Sequence, residues 1–399
     1  MQSKIQEKEY REKIWTRDFT IICIANFFIF LGFQMTLPTL PLFVKDLGGT
    51  DQVIGWIVGI FTFSALIFRP YAGKLLETKG RKFVYMSGLI VFAITVGAFA
   101  VVTSIVALLV IRLFQGVGFG FSSTATGTIA TDLIPPNRRG EGMGYFGLSG
   151  NLALALGPVL GLTLVDIISF TQLFLVCSGI VLVAIIISSF VKYKKVEALP
   201  EEEKALTVKF DIFEKTAIQP AILLFFLTFT FGGIASFLPL YAAERGVGGI
   251  EMYFFMYAIF LMISRTFAGR IYDLKGHTYV FPPGVIMVFT AMLLLAWLPN
   301  TTVLLIAAAI YGLGFGSVQP ALQAWAVNQA ADNRKGMANA TFFSFFDLGV
   351  GIGAITFGLI AQHLGYSYIY IASSISVFFS LVIYSILLLR AKKREESLG

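Results

Sequence analysis

Apolar runs long enough to cross a bilayer recur along this whole chain, broken only by short polar punctuation. That pattern constrains the fold more than any other feature of the sequence. A hydrocarbon core about 30 Å thick takes about 20 apolar residues per helical span. Divided at glycine, proline and charge breaks, the runs give twelve spans, near 18–44, 52–75, 82–103, 105–133, 141–166, 169–192, 216–242, 249–273, 278–298, 301–330, 336–363 and 366–391. Charge is correspondingly scarce: 30 Lys and Arg and 23 Asp and Glu in 399 residues, with a mean hydropathy of +0.81. A soluble chain of this length carries roughly twice that charge. The expected fold is an all-α membrane protein with twelve transmembrane helices in two six-helix bundles. The expected organisation is a leader over 1–17, a first bundle over 18–192, a polar linker over 193–215, a second bundle over 216–391 and a tail over 392–399.

The basic residues give these spans an orientation. Twenty-five of the 30 Lys and Arg fall in the N-terminus, alternate loops, linker and C-terminus. The opposite loops hold only Lys45 and Arg245, and Arg69, Arg112 and Arg265 lie inside spans. Basic residues stay on the cytoplasmic side, so both termini and the linker are expected in the cytoplasm, with a bacterial plasma membrane as the expected location. The net charge of +7 is then a topology signal with anionic-lipid contact, and no nucleic-acid partner is expected. Cys23 and Cys177 both fall in apolar spans and imply no disulfide framework. His277 and His363 lie far apart and near no cysteine, so no metal site is expected. The polar leader MQSKIQEKEYREKIW does not read as a cleaved signal peptide.

Shifted by 196 residues, the chain registers with itself. Arg69, Ala72, Gly73, Lys79 and Gly80 meet Arg265, Ala268, Gly269, Lys275 and Gly276; Gly116, Gly118, Phe119 and Gly120 meet Gly312, Gly314, Phe315 and Gly316. Asn137, Arg138 and Gly140 meet Asn333, Arg334 and Gly336. Halves related by an axis along the membrane normal are a transporter design, with the substrate path between them near the midplane.

Charge inside this frame is concentrated. Gly73–Phe83, GKLLETKGRKF, carries five charges in eleven residues and turns between the second and third spans. Gly73 permits close helix approach and Gly80 the turn. Glu77 stands at a helix carboxyl end, where a negative charge is disfavoured; it needs a positive partner, either Arg81 or the amino end of another helix. Its repeat mate is Asp273. Arg81 registers with His277, and Asp132 with Asn328. Both charges are lost together in the second copy, which predicts an Arg81–Asp132 pair, since losing one partner alone strands the other.

Ionisable groups inside spans are costly and are functional candidates by default. Asp347 lies about ten residues into the eleventh span, roughly 15 Å deep. It shares a helix face with Gly351, Ala354 and Gly358, and its repeat mate is Asn151. It is the candidate proton or cationic-substrate site; the alternative is a structural carboxyl bonded to a neighbouring helix. Arg112, in the fourth span, keeps its charge and must be paired or hydrated, with Gln115 as an available amide. Arg69 and Arg265 lie nearer the basic end and are expected to snorkel. In the fifth span Gly147, Gly150, Ala153, Gly157 and Gly161 form a small-residue face for close packing, with Pro158 free to bend the helix. Asn26, Gln34, Gln115, Asn151, Gln319 and Gln323, with Tyr145, Tyr257, Phe342 and Trp325, are the candidate substrate-cavity residues. An aromatic, amide-bearing, weakly acidic cavity suits amphipathic or cationic compounds.

Four motifs identify a relationship: GKLLETKGRK at Gly73–Lys82, RLFQGVGFG at Arg112–Gly120, GLSGNLALALGPVLGL at Gly147–Leu162 and LGFQMTLPTLPLFVKDLG at Leu31–Gly48. With them the chain resembles the major facilitator superfamily and, within it, the twelve-helix drug:H⁺ antiporters. The resemblance implies a Glu77 latch onto the start of the eleventh span, a proton-transfer role for Arg112, and a fifth-span contact that seals the outer half of the cavity and favours export. The family usually carries Asp where this chain has Glu77. The expected function is proton-coupled export of small amphipathic or cationic compounds by alternating access, by a monomer that is not an enzyme and uses the proton gradient rather than a cofactor. The alternatives are export of one dedicated metabolite (a metal-chelating small molecule or a sugar), import by proton symport, and a membrane enzyme or sensor that transports nothing. An anionic substrate would need basic cavity residues, and Arg112 is the one obvious candidate.

Overall fold

The computed structural model describes residues 13–135, 138–193, 213–331 and 334–396, without the side chains at 77, 139–141, 273, 335, 336 and 391–396. Most of the leader and linker and the last three residues of the tail therefore lie outside the described residues, as do the side chains of Glu77 and Asp273. Among the described residues there is no strand, and twelve helices are long and apolar enough to cross a membrane. They are α1 (Arg17–Asp46), α2 (Asp51–Thr78), α3 (Arg81–Ala98), α4 (Ile105–Leu133), α5 (Arg139–Val165), α6 (Phe170–Ser189), α7 (Ile218–Glu244), α8 (Ile250–Lys275), α9 (Phe281–Trp297), α10 (Thr301–Asn328), α11 (Lys335–Leu364) and α12 (Tyr366–Glu396). The third and ninth spans are tightened at one end into 3₁₀ turns, Phe99–Val101 and His277–Tyr279.

Local chemistry explains where these helices begin and stop. Ser104 and Asn300, repeat mates, cap α4 and α10 by accepting from the amides of Ala107 and Val303. Ser169 and Gln172 form a capping box at α6. Gly80 and Gly276, also mates, take φ of 91° and 79° at the turns that follow α2 and α8, a conformation that a side chain resists.

The chain forms two compact units. Unit 1 comprises Met1–Leu40 and Phe63–Leu206; unit 2 comprises Pro41–Thr62 and Thr207–Gly399. Within each, the fourth helix of the repeat is wedged between two others at backbone distance. A Cβ on Gly118 would meet the Gly88 carbonyl of α3 at 2.9 Å, and one on Gly120 the Ala65 carbonyl of α2 at 2.8 Å. In unit 2, a Cβ on Gly314 would meet the Gly284 carbonyl at 2.6 Å and one on Gly316 the Leu261 carbonyl at 2.8 Å. These are the same contacts shifted by 196 residues, so the GVGFG-type glycines are packing devices in both halves.

Unit 2 includes the hairpin between α1 and α2. Lys45 pairs with Asp51 at 2.7 Å, and the Tyr366 hydroxyl donates to Asp51 Oδ1 at 2.7 Å. A Cβ on Gly55 would stand 2.5 Å from the Ala354 carbonyl, and one on Gly358 would stand 2.7 Å from the Asp51 carbonyl. Gly55 and Gly59 on α2 thus face Ala354, Ile355 and Gly358 on α11 in a seam at the end away from the basic loops. Gly55-x-x-x-Gly59 is a small-residue packing signal legible in sequence that the motif reading passed over.

Candidate functional site

In unit 1 the buried charge is Arg112, in the second turn of α4 and 2% exposed. Its Nη1 donates to Oε1 of Gln115, one turn on, at 2.6 Å. Among the described residues, the Nε2 donor of Gln115 and the Oε1 acceptor of Gln34 on α1 are buried without a hydrogen-bond partner. Buried donors and acceptors of this kind are places for water or a polar ligand group. The rings of Phe33 and Phe119 stack at 4.8 Å beside them in sequence, bringing α1 and α4 together.

Unit 2 is built differently at the corresponding positions. Ala308 stands where Arg112 does and Tyr311 where Gln115 does. The hydroxyls of Tyr311 and Thr230 are 2.9 Å apart, and the Tyr311 ring packs against Tyr257 and Phe315, with centroids at 5.4 and 5.6 Å. This unit carries charge within its spans at Arg265 on α8 and at Asp347, about 18 Å along α11 from its start; Asp347 is the acidic one. It is half-buried, with Oδ2 shut off from solvent. One turn on, the Gly351 carbonyl lies 3.6 Å from where a Gly59 Cβ would stand. Asp347 therefore sits on the α11 face that continues into the α2–α11 seam.

Arg265 departs from expectation. Rather than snorkelling to the end of α8, its Nη2 donates to Oε1 of Gln319 on α10 at 2.8 Å, and its Nε is shielded from solvent. The Nε of its repeat mate Arg69 is shielded as well; what differs is that Gln319 replaces Ser123, and the longer amide reaches the Arg265 guanidinium.

The fifth-span stripe packs along only part of its length. Gly157 lies against Gln34, and a Cβ on Gly161 would meet the Met35 carbonyl at 2.5 Å, so α1 and α5 touch backbone to backbone there. A Cβ on Gly150 would make an ordinary contact with Asn26 Nδ2, at 3.9 Å, and one on Gly147 would meet nothing within 4 Å. Where the helices separate, Asn26 bridges the gap by donating to Ser149 Oγ at 2.8 Å. Pro158 lies inside α5 without interrupting it.

At the basic end of unit 1, Arg81 Nε donates to Asp132 Oδ2 at 2.9 Å and Nη1 to the Leu76 carbonyl at 3.0 Å. The pair expected from the joint loss of charge is present. A Cβ on Gly73 would meet nothing within 4 Å among the described residues. In unit 2, Glu214 accepts from Arg334 and, through Oε1, from the Thr216 amide and hydroxyl. Those bonds, the Thr216 amide first, hold its carboxyl below the usual range.

The candidate substrate residues fall in both units, Asn26, Gln34, Gln115, Tyr145 and Asn151 in unit 1 and Tyr257, Gln319, Gln323, Trp325 and Phe342 in unit 2. Tyr257 and Phe342 are buried, 2% and 0% exposed, within the packing of unit 2. Trp325 stacks on His277, Gln323 donates to Asn339 Oδ1 at 2.8 Å, and Tyr145 packs on Trp15 at 5.1 Å. Asn151 on α5 is half-buried.

The Major Facilitator Superfamily pattern matches residues 22–354 and again 284–398. An uncharacterized MFS-type transporter of Methanocaldococcus jannaschii is 26% identical over 383 residues, covering 94% of this chain and 98% of that protein. The multi-drug resistance efflux pump PmrA of Streptococcus pneumoniae is 26% identical over 385 residues, covering 92% and 94%. Among solved structures, a POT family transporter in complex with 5-aminolevulinic acid superposes with a TM-score of 0.78 at 15% identity, covering 94% of this chain and 96% of that one. Twelve membrane-length helices, an internal six-helix repeat and a family pattern that runs nearly end to end agree: this chain is a multi-pass membrane transporter belonging to the Major Facilitator Superfamily.

Proposed function

We propose that this transporter is a proton-coupled exporter of small amphipathic or cationic compounds, with its termini and linker in the cytoplasm. Asp347 carries the reading: a carboxyl group deep in α11, shielded at one oxygen, on the face that runs into the seam with α2. A carboxylate at that depth is costly, and either a proton or a cationic substrate removes the cost. Alternating exposure of that group to the two sides of the membrane couples proton entry to substrate exit. The seam at Gly55, Gly59 and Gly358 is the contact that has to part for release outward. Arg112 supplies a fixed positive charge beside the open amide donor of Gln115. The likeness to PmrA, named a multi-drug resistance efflux pump, supports efflux as the direction.

The test is accumulation of ethidium in cells lacking their own pumps, comparing the native chain, Asp347→Asn and an empty vector, with and without a protonophore. The native chain is expected to lower dye content, and both the variant and the protonophore to abolish the effect. Dye levels equal to the vector, with expression confirmed, would remove the multidrug reading.

A second reading, export of one anionic metabolite, is favoured by Arg265. Its bond to Gln319 keeps a fixed positive charge inside unit 2, as Arg112 does inside unit 1. Under that reading Arg265→Gln weakens transport of the anion, and ethidium is not a substrate.

A further inference from the structure

At the basic end of unit 1 a cavity of about 170 Å³ opens, lined by Arg81, Ile129, Asp132, Leu133, Lys192 and Tyr193. Its walls come from the start of α3, the end of α4 and the segment that follows α6. They are held in place: the Tyr193 hydroxyl donates to the Ser188 carbonyl at 2.6 Å, its ring packs on Tyr85 at 6.4 Å, and Ser188 donates to the Tyr85 hydroxyl at 3.3 Å. We propose that this cavity binds the phosphate group of an anionic membrane phospholipid.

The charge balance points to an anion. Arg81 and Lys192 bring two positive charges and Asp132 one negative, leaving a surplus of one. Arg81 spends Nε on Asp132 and Nη1 on the Leu76 carbonyl, and Nη2 is the donor edge that neither bond uses. Lys192 is exposed and has no ion-pair partner among the described residues. The helix α3 begins at Arg81 with no side-chain cap, so open amide N–H groups add positive potential at the same end. A guanidinium edge, an ammonium and an uncapped helix start are a donor set suited to phosphate oxygens.

The surroundings point to a lipid as the carrier of that phosphate. Leu182, Ile186 and Phe190 are spaced by four residues along α6 and its C-cap and are 50%, 60% and 59% exposed. They form a bilayer-facing apolar ridge that ends two residues before Lys192 in the chain, so the lysine of the cavity stands at the end of a lipid-exposed helix. Bound there, the phosphate shares Arg81 with Asp132, which ties headgroup occupancy to the charge pair of the first repeat loop.

Native mass spectrometry of the full chain in detergent tests this, with phosphatidylglycerol, phosphatidylcholine and soluble glycerol 3-phosphate as probes. Phosphatidylglycerol is expected to be retained over phosphatidylcholine. Lys192→Gln is expected to weaken that retention about fivefold, the effect of one lysine near an anionic surface. Lys275→Gln, a charge change at the basic end of unit 2, is expected to leave it unaltered. Equal loss in the two variants, or equal retention of the two lipids, would overturn the site. Glycerol 3-phosphate competing at the same concentration as the lipid would overturn the lipid as the source and leave a soluble phosphate ester in its place. Both variants are expected to unfold at the same temperature as the native chain, which separates a binding loss from misfolding.

Discussion

Residues 81 and 132 in unit 1 and residues 277 and 328 in unit 2 occupy the same places in the repeat, yet they are held by different chemistry. Arg81 and Asp132 form an ion pair at 2.9 Å, each side chain 19% exposed. His277 and Asn328 take separate partners. The His277 ring stacks on Trp325, with centroids 4.2 Å apart and planes 13° from parallel, and its Nδ1 lies 2.8 Å from the Tyr384 hydroxyl. Asn328 donates instead to the Tyr272 hydroxyl at 3.4 Å. Trp325 stands where unit 1 has Ile129, and Tyr384 where it has Ser188. With its amide turned to satisfy both neighbours, Gln329 accepts from Trp325 Nε1 at 2.6 Å and donates to the Thr216 carbonyl at 2.9 Å, tying the stack to the start of α7. The difference teaches what each corner can do. A partly exposed ion pair loses little when it opens to water, whereas the stack of a buried Trp325 on a half-buried His277 has no aqueous substitute. The first corner can therefore open to water at little cost, and the second cannot.

Exchanging residues between the corners tests that contrast. Trp325→Ile, which gives unit 2 the residue of unit 1, is expected to have the largest effect, about 3 kcal/mol of stability from lost volume and stacking, measured by thermal unfolding in detergent. Asp132→Asn is expected to cost about 1 kcal/mol, because the pair is partly exposed and Arg81 can turn to water. Adding Arg81→His should recover part of that loss and part of the lost transport. Strictly additive defects in the double-mutant cycle would break the pairing. The smallest effect belongs to Glu214, whose carboxyl is held below its usual value by Thr216 and Arg334. A depressed carboxyl stabilises the fold above its unfolded value, about 4.5, and that contribution is lost as pH falls through the lower folded value. Native protein is therefore expected to lose more stability on acidification from about pH 5 to about pH 3 than Glu214→Gln; parallel pH profiles would show that the bond is stability-neutral.

The helices and the Arg81–Asp132 pair are legible in the sequence because each leaves a signal that needs no third dimension. Spans follow from length and hydropathy, and the pair from charges that vanish together at one offset. The second corner leaves no such signal. Trp325 and Tyr384 are far apart in the chain and look like two more aromatics among 40 Phe and 15 Tyr. Only packing brings them to His277, so that corner reads from sequence as a weakened copy although it is a differently built one. The expectation for Arg265 fails for a related reason: depth along α8 is readable, but the reach of Gln319 from α10 is not. In α5 the glycine stripe is legible as a face, while the place where α1 comes close enough to need it, at Gly157 and Gly161 and not at Gly147, depends on how two helices cross.

The proposed coupling rests on Asp347, and proton flux in proteoliposomes tests it most directly. Vesicles holding the native chain, a preset pH gradient and a trapped pH-sensitive dye would receive ethidium. The account predicts that ethidium collapses the gradient through the native protein and that Asp347→Asn, reconstituted to the same density, leaves the gradient standing. Equal collapse through the variant, or ethidium movement with no change in internal pH, would contradict it.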